Sequence, residues 1–241
     1  MIAYIQYQFK NYLRSYQFIP PMMIFVIWIF LQYLYNEQPI LSSYASSCLG
    51  LFIITCWLTL NILNLESLNE KYLLFIQLES KLKYLIAKWL FIFLINCVLI
   101  VFSIIYPLLL GSFKNQISFK QGVLAILLHL IVCMICILIS TLIKNLNVIS
   151  KKYMWLLISL IGVVSILRPI LIQSYPFIKY ILWLIPPIGD LIKLYHSDNP
   201  NYDVLLLLTL WTLIYIIILF ILNLIIFSKL DQKQTSLGHK P

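Results

Sequence analysis

Long apolar segments alternate with short polar segments along the whole chain. A helix that crosses a lipid bilayer needs about 20 predominantly apolar residues. Six segments approach or exceed this length, so the pattern predicts an all-α, polytopic integral membrane protein with six transmembrane helices in one domain of residues 1–241. The predicted spans are Phe18–Tyr35, Leu41–Leu63, Leu85–Leu110, Gln121–Ile143, Tyr153–Ile172 and Val204–Phe227.

The N-terminal segment has one apolar and one polar face. Read as a helix, it has Lys10 and Arg14 opposite a stripe of apolar side chains. This amphipathic pattern predicts an elbow helix, residues 1–17, that lies in the membrane interface. Pro20-Pro21 then separates it from the first span. The apolar stripe consists of Ile2, Ile5, Phe9, Tyr12, Leu13 and Tyr16.

A second amphipathic segment, residues 64–83, lies between the second and third spans. Read as one helix, it has Leu73 in the middle of a polar side, opposite an apolar side. We expect it to lie flat on the membrane and to present its polar side to a cytosolic partner. The polar side carries Glu66, Asn69, Glu70, Gln77, Ser80 and Lys81, and the apolar side carries Leu65, Leu68, Tyr72, Phe75 and Ile76.

The connection between the fifth and sixth spans, residues 173–203, is too long for a tight turn and is half apolar. Its apolar part, Tyr175–Ile185, is too short to cross a membrane, and Pro186-Pro187 then interrupts it. These features predict a re-entrant or interfacial hairpin on the outer face. Residues 229–241 are polar and are predicted to form a cytoplasmic tail.

Composition excludes a soluble protein. Hydrophobic residues make up 62% of the chain and charged residues 10%, whereas a soluble domain carries about 25% charge. The net charge of +9 does not indicate nucleic acid binding, because the basic residues lie between apolar segments and form no patch. Twelve of the 17 basic residues fall on the side that carries both termini, so both termini are predicted to be cytoplasmic. Few Ala and Gly beside abundant Ile, Leu, Lys and Asn indicate a bacterial plasma membrane.

No catalytic motif is present in the sequence. No glycine is followed by lysine, so the chain lacks a phosphate-binding loop, and it also lacks His-Glu-x-x-His and Gly-x-Ser-x-Gly. His129, Cys133 and Cys136 share one face of the fourth span, and they are either a soft-metal site or ordinary packing. Packing is favoured, because free cysteine behaves as a small buried hydrophobe. No metal or cofactor is therefore assigned to this chain.

Four polar residues in the spans are candidates for lining a transport pathway. Amides and histidine in spans also form ordinary hydrogen bonds between helices, and that interpretation is favoured for most of them. The arginine lies near the outer interface, where its side chain can extend to water. The candidates are Asn61, Asn96, His129 and Arg168.

The whole arrangement resembles the permease subunits of ATP-binding-cassette (ABC) transporters of the type-2 export family. In that family the loop between spans two and three carries acidic residues, a Leu pair, a small polar and basic pair, and a Lys that enters span three. The chain has Lys71-Tyr72 where the family often has Gly-Thr, and Glu79 where it often has Pro. The matching residues are Glu66, Glu70, Leu73-Leu74, Ser80-Lys81 and Lys88.

The resemblance implies a division of labour between chains. A separate ABC ATPase subunit would bind ATP and Mg and would receive residues 64–83 as a coupling helix. A second permease copy or a sister permease would complete the pathway. The cargo would be an amphipathic peptide, as for the permeases that export phenol-soluble modulins or confer lantibiotic immunity. The residues implied in ATPase coupling are Glu66, Glu70, Leu73, Leu74, Gln77, Ser80 and Lys81.

A second function from another class stays open. The chain could be a membrane accessory or immunity protein that binds a partner and transports nothing. An intramembrane enzyme is disfavoured, because the spans lack acidic residues and contain one histidine, His129.

Overall fold

The computed structural model describes residues 2–146, 151–196 and 201–237. Over these ranges the chain is helical, and its only β pairing is an isolated bridge between Gln38 and Phe113. A 3₁₀ turn covers Pro176–Ile178. The α-helices are α1 (Ile2–Ser15), α2 (Ile19–Gln32), α3 (Ile40–Asn64), α4 (Leu68–Gln77), α5 (Lys81–Leu110), α6 (Phe119–Leu146), α7 (Lys151–Ser174), α8 (Lys179–Leu182), α9 (Ile188–Tyr195) and α10 (Tyr202–Leu237).

Five described helices are long and apolar enough to cross a membrane: α3, α5, α6, α7 from Tyr153 and α10 as far as Lys229. This confirms the prediction of an all-α membrane protein for the described residues. The helix α2 has 14 residues and is about 21 Å long, which is less than a bilayer core of about 30 Å. It counts as a sixth span only together with α1, from which it turns by 83°.

The helices α3 and α6 form the centre of the bundle. About two thirds of the apolar window of each is buried, whereas only 17% of that window is buried in α10. Polar side chains join neighbouring helices here: Thr55 Oγ1 donates to Asn96 Oδ1 at 2.7 Å, and Asn223 Nδ2 donates to the carbonyl oxygen of Leu138 at 3.0 Å. The outer helices α7 and α10 instead expose most of their apolar surface, as expected for helices that contact lipid.

The segment between α3 and α5 is not one helix, and the prediction of a continuous helix over residues 64–83 is wrong. The helix α4 begins at a capping box, in which Ser67 and Glu70 satisfy each other's backbone N–H groups. It ends before Glu79, whose φ of 55° turns the chain. Ser80 then caps α5 by accepting a hydrogen bond from the backbone of Lys83.

The connection between α7 and α10 packs on the bundle through α9. A Cβ atom added at Gly189 would lie 2.3 Å from the carbonyl oxygen of Ile166, so only glycine permits this approach of α9 to α7. Arg168 of α7 forms an ion pair with Asp190 of α9 and donates a hydrogen bond to the carbonyl oxygen of Leu182 at 3.1 Å. Short helices therefore occupy the segment for which the sequence predicts a hairpin.

Candidate functional site

One face of α4, in the segment predicted to contact a partner, is apolar and exposed. Leu68, Leu73 and Ile76 are each at least 61% exposed, and Tyr72 lies between them. Side chains three or four positions apart are neighbours on a helix, so these four form one continuous surface. We call it the α4 surface. Exposed Asn69 and Gln77 flank it.

The opposite face of α4 packs on the bundle. Phe75 is buried against the rings of Tyr84 in α5, at a centroid distance of 4.9 Å, and Phe227 in α10, at 6.1 Å. Leu74 is buried on the same side, and Lys71 Nζ lies 4.9 Å from the centre of the Phe227 ring. Positions two apart lie nearly opposite each other at about 3.6 residues per turn, so Tyr72, Leu73 and Ile76 face away from the bundle. Leu68 lies seven positions before Phe75, at the edge of the α4 surface nearest the bundle, and is exposed.

This orientation corrects one expectation. Leu74 is predicted to contact the partner, but it is buried within the chain. The physical reason is the aromatic contact of Phe75 with Tyr84 and Phe227, which fixes how α4 is rotated about its axis. Leu68 and Ile76 are predicted to face the membrane; both are exposed, which is compatible with contact with lipid, so that orientation stays a prediction.

A buried cluster of polar side chains lies directly before α4, and we call it the Glu66 cluster. The Glu66 carboxylate accepts a hydrogen bond from Lys88 Nζ at 2.7 Å and from the Tyr4 hydroxyl at 3.2 Å. Gln8 and Tyr84 also donate to it. The side chains of Glu66 and Lys88 are only 2% and 1% exposed, so this is an ion pair almost completely removed from water.

The Glu66 cluster joins three parts of the fold. Tyr4 and Gln8 come from α1, Glu66 from the connection before α4, and Lys88 with Tyr84 from α5. Burial beside the carboxylate raises the pKa of Tyr4, so its hydroxyl stays protonated and able to donate. The expectation that Glu66 belongs to an exposed polar side is therefore wrong. Its carboxylate is buried, and Lys88 is buried with it, because a buried carboxylate without a cation would be costly.

Glu70 makes a second connection from α4 to α1. Its carboxylate accepts a hydrogen bond from the hydroxyl of Tyr7, which raises the pKa of Tyr7 to about 12. Together with the Glu66 cluster, this contact holds α4 against α1.

The remaining residues of the predicted coupling set lie at the end of α4 and the start of α5. Gln77 is exposed beside the α4 surface. Ser80 is used as the cap of α5, and Lys81 Nζ lies 5.8 Å from the centre of the Phe75 ring. Of the seven residues in the predicted coupling set, Leu73 and Gln77 are exposed.

The four predicted pathway residues do not lie together. Asn96 bonds to Thr55, His129 bonds to Ser47 and to the carbonyl oxygen of Ala125, and Arg168 pairs with Asp190. Asn61 donates to the carbonyl oxygen of Gln17 at 3.3 Å. Each makes hydrogen bonds within the chain. Among the described residues, no group of three or more His, Cys, Asp and Glu side chains could hold a metal ion.

Comparison with protein-family models, with curated proteins and with solved structures finds no match to this chain. The class that the fold defines is an all-helical protein with several helices of transmembrane length and apolarity. Any assignment of function within this class depends on the α4 surface and on the Glu66 cluster.

Proposed function

We propose that this chain is the membrane-spanning permease subunit of an ABC exporter, driven by a separate ATPase subunit that binds ATP and Mg. The observation that carries the proposal is the α4 surface. A short amphipathic helix between two candidate spans exposes four of its apolar side chains, Leu68, Tyr72, Leu73 and Ile76. An apolar centre with a polar rim is the composition of a protein contact surface.

The packing of α4 supports a role in transmitting force. In this proposal the ATPase displaces α4 when it binds or releases nucleotide. Phe75 would pass the movement to α5 and α10, and the Glu66 cluster would pass it to α1 and α5. A buried ion pair keeps its partners in register as they move, because separating them exposes unpaired charge to an apolar surrounding.

The proposed topology has six spans, with α1 as an interfacial elbow and α2 as the short first span. Both termini, α1 and α4 are cytoplasmic, and α8 and α9 lie on the outer side of a bacterial plasma membrane. The excess of basic residues on the side of the termini supports this orientation.

A cysteine-labelling experiment tests this topology. The native cysteines lie inside α3, α5 and α6, and can be replaced. A membrane-impermeant maleimide added to intact cells should label Asn115→Cys, in the exposed connection between α5 and α6, and should leave Asn69→Cys on α4 unlabelled. Both sites should react in opened vesicles. Labelling of Asn69→Cys in intact cells would contradict a cytoplasmic α4.

The proposed cargo is an amphipathic peptide or a similarly hydrophobic molecule. The candidate spans carry few charges, and Arg168 is neutralised by Asp190. A strongly hydrated ion or sugar would find little in such a path to replace its water. The pathway itself would form between two copies of this chain or between it and a sister permease.

One observation favours a second function. The polar side chains Asn96, His129 and Asn223 in the middle of the helices are bonded within the chain. That pattern suits a compact accessory or immunity protein, which would bind a partner without transporting a substrate.

Copurification separates the two functions. The chain is expressed with the product of any neighbouring ATPase gene, purified in detergent through a tag on the chain, and assayed for ATP hydrolysis. The transporter proposal expects a stable complex whose ATPase activity rises when an amphipathic peptide is added. A complex without ATPase activity, or purification of the chain alone, would favour the accessory function.

A further inference from the structure

An apolar groove of about 780 Å³ lies in the angle between α1, α2 and α5. Phe9 and Leu13 of α1, Met22 of α2, and Leu94 and Val98 of α5 line it. The 83° turn from α1 into α2 opens this angle, so the groove follows directly from the elbow. It lies apart from the α4 surface, because none of its lining residues belongs to α4.

The groove is a continuation of the lipid-facing surface of α5. Leu90, Leu94, Val98 and Val101 are all exposed along this helix, and the middle two line the groove. From Phe91 to Val98 the groove extends about 10 Å along the axis of α5. A hydrocarbon chain could therefore enter it from the bilayer without crossing any polar surface.

Three polar residues accompany the apolar lining: Gln6, Lys10 and Tyr12. Lys10 lies at the α1 side of the groove and is exposed. Tyr12 also lines the groove, and its hydroxyl is buried without a hydrogen-bond partner among the described residues. A buried hydroxyl without a partner is costly, but this one is enclosed by the chain, so Tyr12 contributes its ring to the lining and its hydroxyl is not open to the groove.

We propose that this groove is a binding site for an anionic phospholipid. One acyl chain lies along Leu94 and Val98 and packs on the Tyr12 ring, and the headgroup phosphate pairs with Lys10. The inner leaflet is rich in anionic lipid, and a single lysine matches one negatively charged headgroup.

The size of the groove favours a lipid over a peptide. An α-helix is about 10 Å across and rises about 5.4 Å per turn, so 780 Å³ holds fewer than about two turns of a helical peptide. An acyl chain is narrower and needs no hydrogen bonds along its length. The site does not require the proposed transport function, but it rests on the proposed topology, which places α1 at the inner leaflet.

Binding is tested with the full chain purified in detergent, using phosphatidylglycerol and phosphatidylcholine that carry the same acyl chains and a photoreactive diazirine on one of them. Peptide mapping should find phosphatidylglycerol crosslinked to α1 and to the stretch from Phe91 to Val98. Lys10→Gln should weaken retention of phosphatidylglycerol about fivefold. Arg14→Gln, on the same helix but outside the lining, should retain it like the unaltered protein.

A pair of valine variants tests the acyl-chain position. Val98→Phe should fill the groove and abolish the crosslinks, whereas Val101→Phe, on the same exposed face but outside the lining, should leave them unchanged. Equal binding of the two lipids, equal loss in both valine variants, or displacement of the lipid by an amphipathic peptide would overturn the proposal. Size-exclusion profiles of all variants establish that they are folded, and Lys10→Gln changes only an exposed side chain.

Discussion

Lys88→Met is expected to lower the free energy of unfolding by about 3–5 kcal/mol, the cost of removing one partner from a buried ion pair. Methionine is about as long as lysine and keeps the apolar contacts of the stem. It leaves the Glu66 carboxylate almost fully buried without the cation that lies 2.7 Å away in the structure. Unfolding in detergent micelles, followed by tryptophan fluorescence as denaturant is added, measures the effect.

A matched control is available one turn before the cluster. Lys83 forms an exposed pair with Glu79 at 3.7 Å, and such surface pairs contribute about 0–1 kcal/mol. Lys83→Met should therefore shift the unfolding curve little. The double variant Glu66→Gln with Lys88→Met should recover part of the lost stability, since it removes both charges together. If Lys83→Met and Lys88→Met cost the same, the Glu66 cluster does not hold α1, α4 and α5 together.

The long helices could be predicted because their signal is local. Each apolar run is long enough to require a membrane or a core, and its bounds follow from the polar residues that flank it. The first predicted span departs most from this pattern: Phe18–Tyr35 contains a helix only from Ile19 to Gln32. The turn at Tyr16, where φ is 55°, separates α2 from α1. Pro20-Pro21 predicts a break between the two helices, but it does not predict the angle between them.

The rotation of α4 could not be predicted, because it depends on residues far away in sequence. The polar and apolar positions of the segment fit more than one arrangement. The packing of Phe75 on Tyr84 and on Phe227 determines which arrangement forms, and Phe227 lies about 150 positions later in the sequence. The same limitation applies to Arg168, because its partner Asp190 lies 22 positions later on a different helix and no local pattern pairs the two.

Two features of the sequence indicate the Glu66 cluster. Lys88 follows the start of an apolar stretch, and a lysine in such a place needs a partner. Tyr4, Gln8 and Tyr12 recur every four residues on α1, which marks the face that packs on the bundle. The apolar stripe of Ile2, Phe9 and Leu13 marks a different face of α1, which is predicted to lie in the membrane interface, and in the structure those three side chains are exposed.

If the chain is the proposed permease, Leu73→Asp is expected to abolish transport and to weaken ATPase binding about 30-fold or more, while the chain still inserts in the membrane. Loss of a central apolar contact in a protein interface costs about 2 kcal/mol or more, and the new carboxylate would also have to be desolvated. Leu73 is exposed and points away from Phe75, so the substitution disturbs no contact that holds α4 on the bundle. Affinity for the ATPase in detergent and peptide export by cells are measured in parallel.

Two further variants separate the loss of an apolar contact from the gain of charge. Asn69→Asp adds the same charge beside the α4 surface without removing an apolar side chain, and it should cost much less than Leu73→Asp. Ile76→Ala removes apolar area without adding charge, and it should weaken ATPase binding in the same direction as Leu73→Asp. If Leu73→Asp binds the ATPase with unaltered affinity but partitions less well into membranes, the α4 surface contacts lipid. In that case the coupling role of α4 must be abandoned.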